Sequence, residues 1–436
     1  MSKLPDVGAV TLLTCAFASV ARRNHTTTSR LWLTAWVMIA LHFIASIFMD
    51  APGVWGILAT LFTLGALTSA GILFMWASIP YRNQRSSPWM LAVLMFTNSL
   101  YFVILVLGPG ANWPLDVAAA LFGVFPLGLA LLSLRQFRHP LRWSMVLLYI
   151  GLAGFLLTFQ HRPGNGGTLA VNAVLFTVFL GCSIHFLYMH RRNTAGAFIT
   201  IAGFLAWAAV FVLAPFMQAV FPLVQVESEV WNLPKYLVAV GMILLLLENQ
   251  IEENKYLALH DPLTGLPNRR LFEDRMTSAL QRSRRTGTRM ALLVIDLDNF
   301  KQINDALGHH VGDQVLQHVA STFVERVRRS DTVSRTGGDE FSVILEEPTN
   351  REEAENVGAS LRQLLELPVT LEDCLVEIGA SVGIAIFPED AADAESLCIA
   401  ADRRMYEAKQ DKRRSNRDAP PARWRSISQE ESSINE

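Results

Sequence analysis

The sequence predicts two folds in tandem: an α-helical multi-pass membrane domain of about nine helices, then an α/β domain built around one buried central strand. Three observations predict it. First, 51% of the 436 residues are hydrophobic, more than an ordinary soluble domain carries. Second, residues 1–247 hold 13 Lys/Arg and 5 Asp/Glu, whereas residues 248–436 hold 24 and 34, so the net charge of −2 joins a basic half to an acidic one. Third, helix-period and strand-period segments alternate only after Asp261.

Apolar segments of spanning length run over Leu4–Ala21, Leu31–Phe48, Trp55–Trp76, Met90–Leu107, Leu115–Leu134, Trp143–Phe159, Thr168–Met189, Ala197–Val220 and Leu233–Leu247. A bilayer core takes about 20 helical residues, so the first, sixth and last are short. The first segment lacks a basic stretch ahead of it and carries Arg22 and Arg23 behind it, which marks a retained helix rather than a cleaved leader. Arginines then recur in every second loop: Arg22, Arg23 and Arg30; Arg82 and Arg85; Arg135, Arg138 and Arg142; Arg191 and Arg192. The intervening loops hold at most one basic residue each, Arg162 or Lys235. Positive loops face the cytoplasm, so the expected topology has the N-terminus outside, nine spans, and the acidic half inside, in a bacterial inner membrane. Polar residues within the spans (His42, Asn98, Asp116, Asn172, His185, Gln218) read as helix-to-helix hydrogen bonding. A haem bridging His42 and His185 is disfavoured, because their depths differ by roughly 10 Å at the helical rise.

Residues 248–258 continue the last span as a connecting helix. Leu244, Leu247, Ile251, Asn254 and Ala258 follow 3,4 spacing, which suits either a short dimerising helix or a solvated connector. The second domain is expected over 259–417, followed by a disordered tail over 418–436 rich in serine and proline. Its acidity argues against a nucleic-acid partner. Cys15, Cys182, Cys374 and Cys398 lack the spacing of a metal site or a disulfide framework.

Asp261–Arg270 has the Pro and Gly spacing of a wide turn, and Leu271–Ser283 reads as an amphipathic helix. Met290–Ile295 is a continuous apolar run, suited to a strand buried on both faces. Asp296 and Asp298 stand at its end and share one face in strand geometry. A helix begins at Phe300, and Gly308–Asp313 is expected as a loop before the helix Gln314–Arg328. Asn304 offers a donor and an acceptor and Asp313 an acceptor, which together fit a purine edge. A helix N-cap is the alternative for Asp313. In Thr336-Gly337-Gly338-Asp339-Glu340-Phe341, the two glycines suit a positive-φ reversal open to a phosphate. The carboxylates Asp339 and Glu340, facing Asp296 and Asp298, could hold a divalent cation there. Ala380–Phe387 reads as a core strand and Leu397–Lys409 as a helix; Lys409, Lys412, Arg413 and Arg414 form a cluster able to hold phosphates.

The ordered motifs Asp261–Arg270, Asp296–Asp305, Gly308–Asp313, Gly337–Phe341, Ser381–Ala385 and Met405–Lys409 resemble the GGDEF family of diguanylate cyclases over about residues 257–417. The residues of the membrane half point to no particular sensory module. The resemblance implies a nucleotidyl-cyclase-like fold with a central, mainly antiparallel sheet. It implies a homodimer in which each domain holds one GTP and the pair makes cyclic di-GMP and two pyrophosphates. Asp296, the Leu297 carbonyl and Asp339 would bind Mg²⁺ (or Mn²⁺). Asp339 or its bound metal would help deprotonate the 3′-hydroxyl with Glu340 supporting the site, and Lys301 would stabilise transition-state charge. Gly337 and Gly338 would admit the phosphates, Lys409 and Arg413 would hold their β/γ groups, and Asn304 and Asp313 would read guanine with His309 near the ribose or base. Arg328 and Asp331 are similar to the family's product-inhibition motif, which makes cyclic di-GMP an inhibitor as well as a product. Two positions depart from the family: Ser360 where a second arginine is usual, and Lys412 where glycine is usual. The rival functions are a catalytically weak cyclic di-GMP receptor acting through Arg328 and Asp331, and a transporter carrying the domain.

Overall fold

The structure is a computed structural model and describes residues 4–23, 26–77, 87–108, 112–132, 140–189, 194–223, 228–348, 350–371, 374–415 and 424–426. The chain separates into two compact units, Met1–Glu252 and Glu253–Glu436. Among the described residues the first unit holds α1 (Leu4–Arg23), α2 (Thr27–Ser46), α3 (Val54–Ala77), α4 (Ser87–Leu107), α5 (Trp113–Leu132), α6 (Pro140–Phe159), α7 (Gly166–Met189), α8 (Ala195–Val220) and α9 (Ser228–Leu259). The division between the units falls inside α9, which runs without a break through the expected connector.

Six helices (α1, α2, α3, α7, α8 and α9) are long and apolar enough to cross a membrane. In α4, α5 and α6 the described apolar stretches are only 10–17 residues long. Among the described residues six helices thus meet that length, and the expected count of nine is not confirmed. Arg82, Arg85, Arg135, Arg138, Arg191 and Arg192, whose alternation suggested nine, lie outside the described residues.

The helical unit packs around large aromatic side chains from α2, α3, α7 and α8. Trp36 meets Phe74 edge-on at 5.6 Å, Phe74 meets Phe204 at 5.5 Å, and Phe179 stacks on Trp207 at 4.0 Å. Leu12, Trp55, Leu147 and Phe198 are each more than two-thirds exposed, a surface compatible with lipid and ill-suited to water. Of the polar residues expected to join helices, His42 and Asp116 bond beyond their own helix, whereas Asn98 Nδ2 donates to the Leu94 carbonyl of its own helix at 2.8 Å. His42 Nδ1 donates to the Thr63 carbonyl at 2.9 Å, and Gln160 Nε2 and His161 Nε2 each lie 2.7 Å from Asp116 Oδ1. Where α8 crosses α9, a Cβ on Gly241 would stand 2.6 Å from the Thr200 nitrogen, so backbone meets backbone. Nearby, Glu248 of α9 accepts the Gly196 N–H at 3.2 Å, giving the first turn of α8 an anionic partner.

The second unit comprises α10 (Arg269–Thr286), β1 (Met290–Asp298), α11 (Phe300–Leu307), α12 (His309–Arg326), β2 (Thr332–Arg335), β3 (Glu340–Glu346), α13 (Arg351–Leu365), β4 (Val369–Leu371), β5 (Cys374–Val376), β6 (Gly379–Phe387), α14 (Ala394–Ser415) and β7 (Trp424–Ser426). The main sheet has the order β2-β3-β1-β6, and every pairing is antiparallel. The apolar run at 290–295 is thus central, paired on both sides. Its period of two divides the core. Ala291, Leu293, Ile295 and Leu297 join residues of α11, α12 and α13, while Met290 and Leu292 join residues of α10 and α14. Asp296 and Asp298 continue the second set, so they lie on the α14 face.

Two boundaries differ from expectation. The loop expected over Gly308–Asp313 is a single break: Gly308, at φ 86°, ends α11, and α12 begins at His309. Asp313 therefore lies beyond the first turn and is not an N-cap. In the tail expected to be disordered, Trp424–Ser426 adds a strand to the edge of β5, because that edge leaves backbone groups unpaired. The rest of the tail lies outside the described residues.

Asp390 anchors the β6–α14 connection. It accepts both terminal nitrogens of Arg404 at 2.8 Å, Arg351 at 3.0 Å and the Ile386 N–H at 2.8 Å. Arg404 foremost, against the opposing effect of burial, holds its carboxyl well below the usual carboxylate range. A carboxylate depressed in the folded state stabilises above its unfolded pKa and loses that contribution as pH falls through the folded one. Asp390→Asn is expected to cost the C-terminal unit about 2 kcal/mol near pH 7. In urea unfolding, its deficit against the parent should shrink steadily below about pH 4.

Candidate functional site

The β2–β3 hairpin carries Gly337, Gly338, Asp339 and Glu340 to the end of β1. Register sets Asp296 opposite Glu340 on one side and opposite Ser381 on the other. Across the strand end, the Leu297 N–H donates to the Asp339 carbonyl at 3.1 Å. The turn closes through the Thr336 and Gly337 N–H groups, which both donate to the Glu340 carbonyl, at 3.0 and 3.3 Å. Neither turn glycine has a positive φ, contrary to the expectation from sequence. Space is tight at 337: a Cβ there would stand 2.7 Å from Glu340 Oε2 and 3.1 Å from Glu340 Cβ. Gly338 is exposed, with no atom within 4 Å of where a Cβ would be, so one face of the turn is open to a ligand.

The electrostatics centre on two acidic residues and two lysines. Lys409 Nζ donates to Asp296 Oδ1 at 2.5 Å, and the pair is largely buried (24% and 10% exposed). Lys412 Nζ donates to Asp298 Oδ2 at 2.9 Å and to the Ala380 carbonyl at 2.7 Å, while the Ser381 hydroxyl donates to Asp298 Oδ1 at 2.7 Å. Burial pushes the Asp296 carboxyl up. Lys409 pulls it back, and the charges of Asp339 and Asp298 add to the rise, so the net direction is upward. Gly383 makes this arrangement possible. A Cβ there would lie 2.0 Å from the Ala401 carbonyl oxygen, so glycine lets α14 rest directly on β6.

Two carboxylates crowded into a half-buried corner, with an ammonium against one of them, are chemically suited to a divalent cation. Among the described residues no group of three or more His, Cys, Asp or Glu side chains is arranged to hold a metal ion. That donor set matches a hard cation held by one or two carboxylates and completed by substrate phosphates and water.

The remaining expected site residues fall in three places. On α11 and α12, Asn304 packs against Gly312, whose Cβ would meet Asn304 Oδ1 at 1.8 Å. This brings Asn304 beside the residue preceding Asp313, and His309, Asp313 and Lys301 are exposed. On α14, the Arg413 side chain lies outside those described. Away from the hairpin turn, a cleft of about 480 Å³ is lined by Arg326, Arg328, Asp331 and Glu353 among others. There Asp331 accepts the N–H groups of Arg328 at 3.0 Å and Glu346 at 3.1 Å, and Arg328 Nη2 reaches Glu353 at 2.6 Å. Arg326 Nε donates to Ser360, the position of the departure, at 2.6 Å.

Arg335 is a residue the sequence reading missed. Its Nε and Nη2 both donate to the Gly338 carbonyl, at 3.2 and 2.7 Å, and its Nη1 donates to Asp261 at 2.9 Å. Burial raises the Asp261 carboxyl, but Thr264 and Arg335 outweigh it and hold it below the usual range. Asn268 ties the same wide turn to the end of α9, through its N–H to the Leu259 carbonyl and Nδ2 to the Ala258 carbonyl, both at 2.9 Å. Proximity to the glycines was the only hint in sequence, and Asp261 is 74 positions away.

The family model described as "Diguanylate cyclase, GGDEF domain" matches residues 258–415. The chain is 36% identical over 266 residues to the bifunctional diguanylate cyclase/cyclic di-GMP phosphodiesterase MucR of Pseudomonas aeruginosa, a match covering 59% of this chain and 38% of that protein. It is 40% identical over 161 residues to the diguanylate cyclase TpbB of the same organism, 37% of each chain. The chain thus spans under two-fifths of the length of these curated relatives. A solved structure of the TpbB GGDEF domain aligns at 40% identity with a TM-score of 0.34, covering 35% of this chain and 89% of that one.

Removing the Arg335 guanidinium should loosen the turn without unfolding the sheet. In Arg335→Gln, amide hydrogen exchange at Gly338–Glu340 should quicken about tenfold, with β1 and β6 amides unchanged. Equal quickening throughout the sheet would mean that Arg335 supports the fold as a whole.

Proposed function

Since residues 258–415 are a GGDEF domain homologous to diguanylate cyclases, we propose that the whole chain is a membrane-bound, homodimeric diguanylate cyclase. It condenses two GTP into cyclic di-GMP and two pyrophosphates. The observation that carries this reading is the approach of Asp339 to Asp296 at the end of β1, on the face where α14 presents Lys409.

In each half-reaction the 3′-hydroxyl oxygen of one GTP attacks the α-phosphorus of the other. The bond to the β-phosphate bridging oxygen breaks and pyrophosphate leaves; a second, symmetric attack closes the ring. Asp296, Asp339 and the Leu297 carbonyl would hold a divalent cation, Mg²⁺ or Mn²⁺, which would supply positive charge to the phosphates. Asp339 takes the proton of the 3′-hydroxyl, and Glu340 flanks it. Lys301, at the start of α11, meets the negative charge that develops in the transition state. Lys409 and Arg413 hold the β- and γ-phosphates beside the open face at Gly337 and Gly338. Asp313 accepts from the guanine N1–H and N2–H, Asn304 pairs with the remaining edge, and His309 lies toward the ribose or base.

Each domain brings one of the two substrates, so dimer geometry controls the rate. The helical half, with nine spans in the inner membrane and its second domain cytoplasmic, passes its state along α9. The cleft at Arg328 and Asp331 binds the product and limits synthesis. Arg328 stands beside an acidic neighbour there, Glu353, which a phosphate would displace.

Full-length protein given GTP and Mg²⁺ should release cyclic di-GMP and pyrophosphate in a ratio of one to two, read by chromatography and phosphate release. Asp339→Ala should lower the rate by at least about a hundredfold while cyclic di-GMP still binds at Arg328 and Asp331. Product binding with no turnover in the parent would replace an enzyme by a receptor. Asp313→Ser removes an acceptor that adenine's edge cannot use, so the preference for GTP over ATP should fall about tenfold or more.

A further inference from the structure

Lys409 has a partner that its proposed task does not need. A residue assigned to the β- and γ-phosphates is bonded instead to Asp296, the carboxylate read as a metal ligand. Lys409 and Lys412 stand three apart on one face of α14, and Asp296 and Asp298 stand two apart on one face of β1, so the pairs meet one to one. The two contacts differ in kind. Lys412 is bound twice, to Asp298 and to the Ala380 carbonyl, and Asp298 is itself fixed by Ser381. Among the described residues, Asp296 alone accepts a hydrogen bond from Lys409. Backbone contact at Gly383 and the two hydrogen bonds of Lys412 hold α14 in place, while Lys409 meets Asp296 through one hydrogen bond at the end of a four-carbon stem.

Resting on the reading of Asp296 as a metal ligand, we propose that Lys409 is an exchangeable counter-cation. It occupies Asp296 when the site is empty, and it moves to the triphosphate when a divalent cation takes its place. Asp296 and Asp339 crowd their charges in a partly buried corner, so an empty site without the ammonium would leave two carboxylates unneutralised. Lys409 removes that penalty, and by doing so it competes with the metal. It also withholds itself from a nucleotide that arrives without metal. Each ligand therefore frees what the other needs, and metal and nucleotide bind cooperatively by reciprocal linkage. The pivot, Lys412, stands where the family pattern has glycine, which gives this chain a firmer hold on the end of α14.

The test uses full-length protein in detergent, Mn²⁺ binding followed by electron paramagnetic resonance, and the α,β-methylene analogue of GTP, which cannot release pyrophosphate. Without nucleotide, Lys409→Met should bind Mn²⁺ about tenfold more tightly than the parent, the worth of one charge-assisted hydrogen bond. With the analogue bound, that advantage should vanish or reverse, and the factor by which each ligand tightens the other should fall. Equal tightening with and without the analogue would mean a fixed charge effect and overturn the exchange; so would unchanged Mn²⁺ affinity. Asp296→Ala separates this from the underlying reading. If it leaves Mn²⁺ binding intact, Asp296 is not a ligand; if it abolishes binding while Lys409→Met has no effect, the metal site stands and the exchange fails. Lys409→Gln provides a second variant, and a melting curve establishes that each is folded.

Discussion

The antiparallel register that sets Asp296 of β1 opposite Glu340 of β3, closed by the Leu297 N–H on the Asp339 carbonyl, is the constraint from which the rest of the site follows. It brings acidic side chains from two chain segments to one corner of the sheet. A slip of one residue would turn Asp296 into the α11–α13 side of the core and move the side chains packed there to the α10–α14 side. The run from Met290 to Ile295, buried except at half-buried Val294, opposes that slip, since each face of β1 packs against its own set of partners. The packing of the sheet thereby fixes where charge accumulates.

Concentrated negative charge is costly unless a cation meets it, and α14 is placed to supply one. Its approach depends on Gly383, whose missing side chain allows helix backbone to rest on β6. Lys409 and Lys412 then reach the end of β1 from above. The open turn at Gly338 leaves the other side accessible. Arg335 binds that turn to the wide loop after α9, so the β2–β3 hairpin is linked through a short chain of hydrogen bonds to the helix end entering the domain.

Much of this was legible in the residues themselves. A continuous apolar run ending in Asp-Leu-Asp has one sensible reading as a central strand with two acids on one face, and the structure agrees. What escaped depended on pairing over distance. The lysines of α14 read as a phosphate cluster because their partners, Asp296 and Asp298, lie more than a hundred positions earlier. Gly308-His309-His310-Val311-Gly312 looked like a loop because glycine and histidine are weak helix formers; contact with Asn304 at Gly312 offsets that. The turn glycines invited a positive φ, whereas neither adopts one and Gly337 lies close against Glu340. In the helical half, hydropathy located the segments, and a helix stands at each of them.

The most direct measurement is a crystal structure of the protein with Mn²⁺ and the α,β-methylene analogue of GTP, with manganese located by its anomalous scattering. The account predicts an anomalous peak coordinated by both Asp296 and Asp339, with the triphosphate beside it and guanine near Asn304 and Asp313. A peak coordinated by neither carboxylate, with nucleotide bound elsewhere, would contradict it.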